Sequence, residues 1–68
     1  MDYGKRIKEL RGQAGMTQAE LGEALGITHS AISLIEANKR GLSIKTADKI
    51  VAALGATLND LFIESEDQ

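Results

Sequence analysis

An all-α fold, five helices packed as one compact domain, is what this sequence predicts, on three observations. Apolar residues recur at spacings of three and four along most of the chain, the period of an amphipathic helix. Four segments open on a hydroxyl residue, Thr17, Thr28, Ser43 or Thr57, each able to cap the free amides of a helix start. Just before the second of these caps, Gly26 separates two short apolar runs. With 68 residues the chain is bounded to one domain, expected over 1–63, with an acidic tail over 64–68.

The first helix is expected from Tyr3 to Ala14. Tyr3, Ile7, Leu10 and Ala14 fall on one face, Lys5, Lys8 and Glu9 take the wet side, and Gly15 is a natural stop. Next comes TQAELGEALGITHSAISLIE, Thr17 to Glu36. Its opening Thr17-Gln18-Ala19-Glu20 is a capping box, with Met16 and Leu21 placed as a hydrophobic staple. Gly26 supplies the backbone freedom for a sharp reversal, Thr28 caps the second helix, and Ile27 and Ile32 repeat the staple spacing. Two capped helices about one glycine make a helix-turn-helix.

The second helix of this unit, about 28–36, is the informative one. At about 100° per residue, Ala31, Ile32 and Ile35 gather on one side, and His29, Ser30, Ser33 and Leu34 face away. That outward set holds no lysine or glutamate, although long charged residues favour both helicity and solubility on an idle exposed face. Short side chains leave a surface that can approach another molecule closely. A DNA major groove admits such a helix, and serine, histidine and an apolar contact to a thymine methyl suit base edges.

In these residues the chain resembles the phage repressor and Cro-type (XRE-like) helix-turn-helix family. The likeness rests on Gly22, Gly26, the apolar frame Leu21, Leu25, Ile27, Ile32 and Ile35, and Met16-Thr17-Gln18 at the start. It runs from about Tyr3 to Phe62. Over Gly41–Phe62, GLSIKTADKIVAALGATLNDLF, it is most similar to the small controller proteins of restriction–modification systems. Gly22 departs from the alanine usual in the family; it lets the helices cross closely but costs about 1 kcal/mol of helix propensity. The resemblance implies a lambda-repressor-like DNA-binding fold and aligns Arg11 with a buried arginine that pairs with the glutamate at Glu36. It also implies that the loop Ala37–Leu42 contacts phosphates, through Asn38, Lys39 and Arg40. The family's proline near this loop is missing here, as the chain contains none. Gln18, whose amide lies beside a helix N-terminus suited to an anion, joins the expected phosphate set, as do Thr17, Thr28 and Lys45.

Ser43 caps the fourth helix, with Ile44, Ala47, Ile50, Val51 and Leu54 as its apolar stripe and Gly55 as its end. Thr57 caps a short fifth helix, with Asp60 at the capping-box position. So small a domain cannot readily enclose Leu58, Leu61, Phe62 and Ile63 together, and a surplus of this kind suits an isologous homodimer patch. A dimer would present its two reading helices to successive major grooves, about 34 Å apart, on a pseudo-palindromic operator.

The formal charge of −2 argues at first against nucleic acid, but its distribution does not. All eight basic residues precede Val51, and every charged residue after it is acidic, as suits a binding face with an acidic tail. With no cysteine, one histidine and no nucleophile–base arrangement, neither an enzyme nor a metal or cofactor site is expected. One tyrosine and one phenylalanine leave little for stacking on single strands. No apolar run would span a bilayer and no secretory signal is visible, so a cytoplasmic protein is expected. The expected function is therefore sequence-specific, double-stranded DNA-binding transcriptional regulation, with no small-molecule ligand. A protein-interaction module, such as the antitoxin subunit of a toxin–antitoxin pair, is the alternative; the same fold would serve both, and the lysine-free helix face with Asn38-Lys39-Arg40 favours DNA.

Overall fold

The computed structural model describes residues 2–62. Five helices follow in order: α1 (Tyr3–Gln13), α2 (Gln18–Leu25), α3 (His29–Glu36), α4 (Ile44–Ala53) and α5 (Leu58–Phe62), with no strand among the described residues. Each starts where a short polar side chain can hold the first amides. Thr17 accepts from the Glu20 amide while the Glu20 carboxylate accepts from the Thr17 amide, completing the capping box. Thr28 and Ser43 cap α3 and α4 one-sidedly, accepting from the amides of Ala31 and Thr46, and Thr57 and Asp60 form a second reciprocal pair on α5. Asp2 caps α1 through the Lys5 amide.

The first four helices also end alike. In each, the amides of the two residues past the last turn donate back to carbonyls within it, as from Gly26 to Glu23 and from Ile27 to Gly22, a Schellman closure. The residue at the bend takes positive φ: Gly15 at 71°, Gly26 at 73° and Gly55 at 70°. After α3 the bend is made by Asn38, at φ 61°, the one non-glycine residue with positive φ among those described.

Ile7, Leu21, Ile32, Ile50 and Leu61 are fully enclosed, and Leu10, Ile35, Ala47, Val51 and Leu54 complete the core around them. Helix α2 packs chiefly on α3, α1 on α3 and α5, and α4 on α2 and α5. Burying each aliphatic side chain contributes roughly 1.5–3 kcal/mol. Two glycines let backbones meet. A Cβ on Gly22 would lie 2.7 Å from the Ile27 carbonyl oxygen, in the turn between α2 and α3. At Gly4 it would lie 2.7 Å from the Ile35 carbonyl oxygen and closer still to that of Glu36, so the start of α1 rests on the last turn of α3.

Several expectations are corrected. Ala14 lies past the end of α1 and is exposed, because the chain has already begun to reverse at Gly15. Ile44 opens α4 one turn outside the core and is 65% exposed. Leu61, assigned to a dimer face, is 0% exposed and closes the core beneath α1 and α4. The surplus is smaller than supposed because α5 turns Leu61 fully inward, leaving Leu58 and Phe62 half-buried. Phe62 stands edge-on to Tyr3, ring centroids 5.6 Å apart. Ile63 and the tail 64–68 lie outside the described residues.

Candidate nucleic-acid interface

Helix α3 divides sharply. Ala31, Ile32 and Ile35 are buried against the core, whereas His29, Ser30, Ser33 and Leu34 are all exposed, Leu34 at 44%. No hydrogen bond among the described residues engages the side chains of these four. The face is thus open, polar at its start and apolar at Leu34, and carries no long charged side chain.

Its pose is fixed from the other side by Glu36. This carboxylate accepts from Arg11 Nε at 2.7 Å and from Arg11 Nη2 at 3.1 Å, a two-pronged ion pair. Arg11 Nη1 donates to the Met16 carbonyl at 2.8 Å, and Gln18 Nε2 donates to Glu36 Oε1 at 3.1 Å. The Glu36 side chain is 4% exposed. Its hydrogen bonds hold the Arg11 guanidinium above its ordinary pKa, outweighing the effect of burial. One carboxylate therefore joins α1, the start of α2 and the end of α3.

The residues expected at phosphates fall into two groups. Lys39, Arg40 and Lys45 are exposed, and no carboxylate among the described residues forms an ion pair with them. Thr17 and Thr28 accept from helix amides, which leaves each hydroxyl proton free to donate. Gln18 is partly committed to Glu36, keeping one amide hydrogen for a ligand. Asn38 differs: its Oδ1 accepts from the Gly4 amide at 3.0 Å and its Nδ2 donates to Asp2 at 2.7 Å. Asn38 is a joint between helices, and like Gln18 it keeps one amide hydrogen for a ligand. Sequence reasoning also passed over Gly4, Asp2 and Arg6, whose Nε donates to the Asp60 carbonyl at 2.8 Å. The bond to Asn38, followed by that to the Lys5 amide, holds the Asp2 carboxyl below its ordinary value of 3.8.

A helix-turn-helix family matches residues 7–61. The chain belongs to this family, of the repressor and Cro (XRE) type. Among helix-turn-helix relatives, the transcriptional regulator PuuR of Escherichia coli K12 is 43% identical over 63 residues, 93% of this chain. The chain spans about a third of that protein's length, 34%. The crystal structure of the restriction–modification controller protein C.AhdI from Aeromonas hydrophila superposes with a TM-score of 0.83 at 30% identity, covering 88% of this chain and 87% of that one. SinR, a master regulator for biofilm formation solved in complex with DNA, gives 0.80 at 34% identity over 90% of this chain and 98% of its own. No described helix is long and apolar enough to cross a membrane.

Proposed function

We propose that this helix-turn-helix chain is a sequence-specific double-stranded DNA-binding transcriptional regulator that reads its site with α3 in the major groove. The carrying observation is the exposed face of His29, Ser30, Ser33 and Leu34, held out by the buried Ala31, Ile32 and Ile35. In this reading those four side chains choose the sequence. Thr17, Gln18, Thr28, Lys39, Arg40 and Lys45 grip the backbone and set the register. The likeness to SinR in its DNA complex supports the partner, and the likeness to C.AhdI supports the regulatory role. Side chains this short reach few base edges, so DNA shape contributes to the choice.

The regulator acts as a homodimer on a pseudo-palindromic operator. With Leu61 in the core, the shared surface draws on the half-buried Leu58 and Phe62 and on the outward Ile44, which stands one turn before Ala47 on α4. Selection of random duplexes by the purified protein tests the whole proposal. A pseudo-palindromic consensus with half-sites about one helical turn apart is expected; no enrichment over the starting pool would refute it. Substituting His29 or Ser33 is expected to change preference at one base pair per half-site, by about 1–3 kcal/mol. Arg40→Ala weakens all sequences alike and flattens the salt dependence.

A further inference from the structure

Three helices end on glycine and α3 ends on Asn38, in the same left-handed conformation and with the same pair of closing bonds. The amide of Asn38 donates to the Ile35 carbonyl at 3.0 Å and that of Lys39 to the Leu34 carbonyl at 2.9 Å. Backbone geometry alone asks only for glycine there, since any side chain at positive φ is strained and asparagine merely less so. What asparagine adds is its amide group. Oδ1 takes the Gly4 amide, which belongs to the first turn of α1 and lacks a partner within that helix. Nδ2 takes the Asp2 carboxylate, the cap of the same turn, which also accepts from the Lys5 amide at 2.8 Å. One residue thus terminates α3 and caps α1, across 34 positions of sequence. Gly4 permits this, because a Cβ there would collide with the carbonyls of Ile35 and Glu36. Lys39 and Arg40 follow directly.

We infer that Asn38 is a positioning residue for backbone binding: by tying the end of α3 to the start of α1 it fixes the direction in which Lys39 and Arg40 leave the reading helix. The inference rests on the DNA-binding reading. A phosphate-binding arginine contributes most when its starting geometry is set before the duplex arrives, because ordering the loop on binding costs affinity. Without the tie, α3 still ends correctly, but the loop leaves it with no anchor on α1.

Asn38→Gly is the direct test, because glycine keeps the left-handed bend and removes only the tie. Binding of the selected duplex is measured for the parent, Asn38→Gly, Arg40→Ala and the double variant, with circular dichroism to check folding. Arg40→Ala is expected to weaken the parent about tenfold and the Asn38→Gly protein only about threefold or less, the signature of coupled positions. Exchange of the Gly4 amide with solvent should quicken in Asn38→Gly. The same cycle begun from Asp2→Ala, which loosens the tie at its other end, is expected to show the same coupling, and it carries the test if Asn38→Gly does not fold. Additive effects would overturn the positioning role while leaving DNA binding intact. A parent that binds no duplex, or an Arg40→Ala protein that binds like the parent, would overturn the DNA reading first and this inference with it.

Discussion

Glu36 is the residue on which the interface most depends without belonging to it. Three donors from Arg11 and Gln18 converge on a carboxylate that is nearly sealed from water. An ion pair so placed need not add stability over an apolar substitute, yet stripping away one partner leaves the other unpaired in a poor solvent. Glu36→Ala is expected to lower unfolding stability by about 3–5 kcal/mol, read from urea melts, and Glu36→Gln by less, since the amide keeps an acceptor for Arg11. A Glu36→Ala melt that superposes on the parent would show that the pair is dispensable. Gln18 illustrates the difference between proximity and availability. Its position at the start of α2 suits a phosphate, but half its donor capacity already serves this carboxylate.

Helix α1 carries no acidic residue in its first turn beyond the cap at Asp2, so its start depends on that carboxylate and on Asn38. Because the folded state holds the Asp2 carboxyl below 3.8, its contribution is complete above that pH and is lost as the pH falls through the folded value. Thermal melts of the parent are therefore expected to lose stability on acidification below about pH 4. Asp2→Asn should remove part of that loss; an identical acid limb in the variant would exclude Asp2 as a source. The elements themselves were largely legible from sequence. Thr17, Thr28, Ser43 and Thr57 act within three residues of themselves, and a cap of that range is visible in any sequence. Arg11 and Glu36 were paired only through family resemblance, and the joint of Asp2, Gly4 and Asn38 was missed. Nothing local marks a bond between residues 34 positions apart, and Asn38 in a loop beside two basic residues looks like a surface donor. Leu61 was misplaced for a different reason: a helix of five residues is too short for its apolar spacing to define an inward face.

For the molecule as a whole, the position of Leu61 changes what a dimer experiment can mean. Leu61→Glu puts a charge into the core and is expected to abolish cooperative unfolding rather than to yield a folded monomer. Ile44→Glu alters a side chain that is 65% exposed and should keep the helical signal. If the two copies meet on this side, its sedimentation mass is expected to fall to that of one chain; a folded Ile44→Glu protein with the parent's mass would exclude Ile44 from the contact. The charges are also arranged at this scale, with Lys39 and Arg40 exposed just past α3, Lys45 exposed at the start of α4, and every charged residue after Val51 acidic. The division of α3 has a last consequence. The side-chain hydrogen bonds that secure the helix lie at its ends, and none among the described residues is made by the side chains of the outer four. Under the proposed reading, His29, Ser30, Ser33 and Leu34 can therefore be exchanged without endangering the scaffold, and a lineage of such proteins is free to diverge in target while remaining the same machine.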